Sequence, residues 1–170
     1  MHSILDSSLA RMDAMNAAVS PAHRKDEQIM AELNANLELL YLKAKCYHWN
    51  VTGVGFKGVH EIFDNIQEYA ENQADRVAER MRYFGMPVDA RMTAYLNKAL
   101  FSEGDFNYPQ ERMLSDMSRS IQAIHDHIML YLDVIACPVT QNMFQDICEG
   151  LDKHNYFVKS SMSVFPNNLI

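Results

Sequence analysis

Apolar residues recur at steps of three and four along four stretches of the chain, and that period predicts four helices. The clearest stretch runs from Lys57 to Phe84. It places Val59, Ile62, Phe63, Ile66, Ala70, Ala74, Val77 and Met81 on one side, has no proline, and has Gly58 as its only glycine. Before it, Asp26 to about Asn50 carries Met30, Leu33, Leu37, Leu40, Ala44 and Tyr47 on a similar stripe. After it, Pro109 to about Ala136 carries Met113, Met117, Ile121, Ile124, Ile128, Leu132 and Ile135; Pro109 suits a first helical turn, and Cys137-Pro138 is expected to close the helix. A fourth helix is expected from Thr140 to Ser161, with Met143, Ile147, Leu151, His154 and Val158 facing inward. Gly150 falls near that stripe, where it permits close approach of a neighbouring helix.

The connections complete the architecture. Gly53, Gly55 and Gly58 suit a tight reversal between the first and second helices. Gly85 and Pro87 end the second helix. Residues 85–107 then form a crossover too long for a simple turn, with a short helix expected from Thr93 to Phe101. Such a connection suits a bundle in which the second and third helices run the same way. The expectation is an all-α four-helix bundle over residues 26–162, with a long crossover between the second and third helices carrying a short helix. Residues 1–25, interrupted at Ser20-Pro21, are expected to be an N-terminal extension, and residues 163–170 a tail.

Polar positions on the second helix change the picture. With His60 at zero, Asp64 falls at about 40°, Glu71 at about 20°, Asp75 at about 60° and Glu79 at about 100°. The apolar residues fill a different arc, roughly 200° to 320°. A row of acids alone reads as a solvated face. However, His60 and Asp64 form an i,i+4 pair, as do Asp75 and Glu79, and that spacing lets two side chains reach one cation. The glycine-rich reversal sets His48, at the end of the first helix, beside His60.

Helix length then limits how these residues can meet. The fifteen residues from one pair to the other span about 22 Å, so one chain cannot close both pairs on a single metal. A second copy, antiparallel about a two-fold axis level with Tyr69 and Ala70, brings His60 and Asp64 of one protomer to Asp75 and Glu79 of its mate. The residues therefore call for at least a dimer.

The motif His48-Trp49-Asn50-Val51-x-Gly53, followed by His60-Glu61-x-x-Asp64 and Asp75-x-x-x-Glu79-Arg80, resembles the Dps family of ferritin-like mini-cages. The likeness spans roughly residues 26–161. It implies a ferritin-like bundle, assembly as a hollow dodecamer, and a ferroxidase site shared across a dimer two-fold. It also implies that His48, His60, Asp64, Asp75 and Glu79 hold iron, with Asp64 and Glu79 the bridging or strongest ligands. Fe(II) is oxidised to Fe(III), with hydrogen peroxide the favoured oxidant, and stored as ferric mineral. By the same resemblance Trp49 takes up oxidising equivalents, although plain packing explains it equally well. The donor chemistry itself suits Fe(II), with Zn(II), Mn(II) or Co(II) as substitutes, and the absence of thiolates disfavours structural zinc.

Composition and charge exclude several alternatives. The chain has 170 residues, 48% hydrophobic and 22% charged, which is enough for one domain with a full core. Its formal net charge of −7 favours cations over nucleic acid or anionic membrane. Twelve copies would carry about −84. The first 25 residues hold only Arg11, Arg24 and Lys25 as cations, which counts against DNA condensation. A DNA-binding, genome-protecting protein, or a structural shell whose metal staples the dimer, are the competing classes. No apolar run reaches the ~18 residues of a membrane span, and Met1 to Ala10 has no basic start typical of a signal peptide. Cys46, Cys137 and Cys148 lack CxxC spacing and are expected as reduced thiols in the cytoplasm. The twelve methionines are expected in the core. His125 and His127 point about 160° apart and are expected at the surface or its margin. His154 is expected to be a core histidine. Glu68 and Glu71, between the pairs, are expected to be solvated or paired across the two-fold rather than to pass iron along. The resemblance places an acidic, iron-admitting run at the start of the fourth helix. Here Cys137 to Asn142 has no carboxylate, and Asp146 and Glu149 are the nearest.

Overall fold

The computed structural model describes residues 21–162. Most of the expected extension at 1–25, and the tail at 163–170, lie outside the described residues. Five α-helices follow in order: α1 Pro21–Asn50, α2 Phe56–Tyr83, α3 Met92–Leu96, α4 Gln110–Tyr131 and α5 Pro138–Ser160, with a 3-10 turn at Leu132–Val134. The fold is the expected ferritin-like bundle, with α3 riding on the crossover.

Two prolines do the opposite of what their sequence positions suggest. Pro21 opens α1 five residues ahead of Asp26, and Pro138 opens α5 rather than closing the preceding helix. A first-turn proline gives up only an N–H that has no helical partner. The third long helix stops at Tyr131, and the 3-10 turn after it keeps Ile135 buried.

Side-chain contacts give the helix directions. Tyr69 meets Ile147, Arg76 meets Asp146 and Arg80 meets Thr140, so α2 and α5 are antiparallel. Lys43 meets Asp116 and Glu32 meets His127, so α1 and α4 are antiparallel as well. With α1 and α2 joined by a tight reversal, α2 and α4 run the same way, as the crossover requires. The left-handed Gly53 and Gly55 (φ 119° and 73°) make that reversal, a conformation most side chains resist. Short helix α3 ends at Leu96 rather than Phe101, because buried Asn36 of α1 takes over the backbone beyond it. Asn36 Nδ2 donates to Lys98 O (2.9 Å) and its Oδ1 accepts from Leu100 N (2.8 Å).

The main core cluster is built from the predicted stripes, and eight of its members come from α2 and the turn after it: Val59, Phe63, Ile66, Ala70, Ala74, Val77, Met81 and Met86. Buried polar residues interrupt it, Lys43 among them. Lys43, with no exposed side-chain surface, donates to Asp116 Oδ2 (2.7 Å) and Ser120 Oγ (2.8 Å), and stands 4.9 Å from the Phe101 ring. Tyr47 Oη donates to the same Asp116 oxygen at 2.7 Å. Burial pushes the Asp116 carboxyl up, but the hydrogen bonds from Lys43 and Tyr47 outweigh this and hold it below the usual carboxylate range. Burial pulls the Lys43 ammonium down against the pull of Asp116. The crossover presses on this group so closely that a Cβ at Gly104 would lie 3.2 Å from the Tyr47 ring.

Candidate metal centre

The α1–α2 reversal stacks the His48 and His60 rings, with centroids 3.7 Å apart and planes at 25°. Their polar contacts are reciprocal: His60 Nδ1 lies 2.8 Å from His48 O, and His48 Nδ1 lies 3.2 Å from His60 O. A carbonyl can only accept, so both Nδ1 atoms carry the proton. In the neutral rings both Nε2 lone pairs are therefore free for a cation, the tautomer a metal needs. Asp64 Oδ1 stands 3.7 Å from His48 Nδ1, and the Phe56 ring 5.1 Å from that of His60. His48 is largely covered (17% exposed) and Asp64 open (61%), so the donors face outward from a backed surface.

Asp75 and Glu79 sit exposed on the far half of α2. His48, His60 and Asp64 thus lie near one another, and Asp75 and Glu79 lie apart from them. Among the described residues no three His, Cys, Asp or Glu side chains are grouped to hold a metal within one chain. Asp75 lines a groove of about 430 Å³ together with Asn34, Glu38, Glu71 and Tyr95. Burial, then the charges of Glu71 and Asp75, push the Glu38 carboxyl up. Glu38 was not singled out by the sequence reading, because nothing on α1 announces which α2 residue it will face. Glu68 and Glu71 are exposed, as expected of solvated acids. Tyr69 and Ala70, level with the expected axis, turn inward instead: Ala70 is buried and Tyr69 Oη donates to Ile147 O of α5 (2.8 Å).

Trp49 is not a packing residue within the chain. It is 69% exposed, with Lys45 Nζ 5.3 Å from its ring, at the edge of an apolar groove that includes Tyr41, Leu42, Cys46 and Phe106.

The remaining histidines divide unexpectedly. His125 stays at the margin near Asp126 and Asp152. His127, also expected there, is buried at the α1–α4 seam, its ring against Tyr131 and its Nε2 3.8 Å from Glu32. Burial lowers the affinity of His127 for a proton, opposed by Glu32. His154 packs on Tyr69 (4.7 Å) and is likewise lowered by burial. Where the acidic run is expected, Cys137 stands before α5 with Arg80 Nη2 donating to its sulfur (3.1 Å). The Thr140 backbone N–H, first among several contacts, lowers that thiol. Burial pushes the other two up, Cys148 to about 11. Among the described residues no helix is long and apolar enough to cross a membrane.

Comparison with known proteins gives the family. The ferritin-like domain family matches residues 27–166. General stress protein 20U of Bacillus subtilis is 28% identical over 141 residues, covering 79% of this chain and 97% of that protein. The DNA protection during starvation protein of Brevibacillus brevis is 28% identical over 129 residues, covering 74% and 87%. The crystal structure of a Dps protein from Bacillus brevis superposes with a TM-score of 0.79 at 25% identity, over 83% of this chain and 97% of that one. The chain belongs to the ferritin-like family, within its Dps branch, whose members bind and store iron and protect against oxidative damage.

Proposed function

We propose that this protein is a ferroxidase whose sites form between protomers. His48, His60 and Asp64 come from one chain, Asp75 and Glu79 from its two-fold mate, and hydrogen peroxide is the oxidant. The observation that carries this reading is the stacked imidazole pair. Reciprocal backbone hydrogen bonds spend both Nδ1 protons and leave both Nε2 atoms without a proton, with Asp64 Oδ1 3.7 Å from His48 Nδ1. Three donors from one chain leave open positions for peroxide, and the partner's two carboxylates offset the charge of Fe(III). Members of the family form homo-oligomers, and the closed dodecamer gives ferric mineral a cavity. Zn(II) and Mn(II) are the expected competitors for the donors. Cytoplasmic location suits the unpaired thiols. At −7 per chain the assembly is expected to release DNA at moderate salt in a mobility-shift assay.

Mixed assembly tests the shared site. His48→Ala and Asp75→Ala proteins are each expected to lose peroxide-driven Fe(II) oxidation. In a heterodimer of the two, one site holds both lesions and the other none. Random co-assembly of equal amounts then restores about a quarter of the unmodified sites. Ferric absorbance after anaerobic Fe(II) and peroxide measures it. No recovery on mixing rules out a site divided between protomers, and an unmodified protein no faster than buffer leaves only a dimer staple.

A further inference from the structure

We propose that His127 and Glu32 form a second cation site at the α1–α4 seam, taking one Zn(II) or similar first-row divalent ion per chain. The site shares no residue with the candidate metal centre and stands whether or not iron is oxidised there. It starts from an orphaned atom. His127 is 7% exposed, yet its Nε2 has no hydrogen-bond partner, one of two such buried side-chain atoms among the described residues. A polar atom in that position is rare, because it gives up water and gains nothing in return. The ring's other nitrogen is spoken for. A backbone hydrogen bond joins His127 to Ile29. Since Nε2 has no partner, Nδ1 makes that bond, and it carries the proton because a carbonyl only accepts. The Nε2 of the neutral ring is therefore a lone pair facing the seam.

Across from that lone pair stands a second acceptor. Glu32 Oε2 lies 3.8 Å from His127 Nε2. Gln28 Nε2, one turn back on α1, donates to Glu32 Oε1 at 2.9 Å and fixes which oxygen faces the histidine. Two acceptors turned toward each other call for something positive between them. A shared proton draws such a pair to about 3 Å, so 3.8 Å is too long for it. A water about 2.8 Å from both would have to bond them at about 85°, sharper than the angle between its O–H bonds. A metal ion about 2.1 Å from each spans the same gap at about 130°, and a small turn of Glu32 makes that tetrahedral.

Donor chemistry selects the ion. An imidazole and a carboxylate suit Zn(II), Co(II) or Fe(II), whereas Mg(II) and Ca(II) take oxygen donors. The Glu32 side chain is 25% exposed, which gives the ion an entry and lets water fill its remaining positions. A bound ion ties two antiparallel helices whose only direct link at this level is a contact too long to be a hydrogen bond.

Equilibrium dialysis against Zn(II) tests this on the metal-free full chain carrying His48→Ala and Asp75→Ala, which takes the candidate centre out of the count. The expected result is one Zn(II) per chain that disappears on adding Glu32→Gln or His127→Leu. Glu32→Gln replaces a partly exposed group by one of the same shape, so it separates loss of a ligand from loss of the fold. Gln28→Ala frees the carboxylate to turn away and is expected to weaken binding about tenfold. Co(II) in place of Zn(II) is expected to give visible d–d bands that vanish with Glu32→Gln and come without the charge-transfer band of a cysteine ligand. Excess Mg(II) leaves the ion in place. Zn(II) binding unchanged by Glu32→Gln, a sulfur charge-transfer band, or displacement by Mg(II) overturns the proposal. Failure of the iron-oxidising reading shows only in proteins that keep His48 and Asp75, so the two results are read separately.

Discussion

Replacing Gly150 by alanine sets two opposed effects against each other, and the structure decides the sign. In an open helix the change stabilises by about 1 kcal/mol, since alanine restricts the unfolded chain and favours the helix. At this position the new methyl would lie 2.5 Å from Tyr69 Cε2 and Cζ, against a normal carbon contact of about 3.5–4.0 Å. The Tyr69 ring cannot swing aside freely, because its hydroxyl bonds Ile147 O and its face packs on His154. Overpacking costs about 1–3 kcal/mol, and losing the hydroxyl's partner adds about 1 kcal/mol. The net expectation is a loss of about 2 kcal/mol, or a fall of about 4–8 °C in Tm for a chain of this size. Urea unfolding followed by far-UV circular dichroism measures it. In a Tyr69→Leu background, where the side chain ends short of α5, the same Gly150→Ala change is expected to stabilise by about 1 kcal/mol. Equal stabilisation in both backgrounds would refute the close approach and, with it, the tie that holds α2 against α5.

Other expectations concern charge. Lys43→Met removes the ammonium that Asp116 and Ser120 bond. Leaving that partly covered carboxylate with only Tyr47 and Arg119 as partners is expected to cost about 2 kcal/mol, read from the same urea curves. Acid is expected to weaken the fold in two stages. His127 and His154 bind protons less readily when folded, so the unfolded chain takes them up first and stability declines as pH falls below about 6.5. His127→Leu should flatten that first stage in unfolding midpoints between pH 7 and 5; an unchanged slope would count against its burial. Asp116 is depressed, so its contribution is present above the unfolded carboxylate range and is lost only at lower pH, below about 3.9. That second stage should be smaller in Asp116→Asn.

The helices and the spacing of the candidate ligands could be read in the sequence because both are local. A period of three and four places Val59 to Met81 on one side, and an i,i+4 step sets His60 over Asp64 whatever the rest of the chain does. Even the expectation of a second copy follows from rise per residue alone. Contacts between distant segments could not be read that way. The tautomers of His48 and His60 depend on two carbonyls brought across the reversal. Glu38 reaches Asp75 only because α1 and α2 pack at one particular register, and Tyr47 finds Asp116 across 69 residues of chain. Pro21 and Pro138 looked like breaks, yet each opens a helix, since a proline has the same local chemistry before a helix as after one. His127, expected at the margin, is buried, and Trp49, for which packing was one of two readings, is bare. Covalent geometry determined what each residue could offer. Packing of apolar faces, which only the whole chain specifies, decided which offers meet.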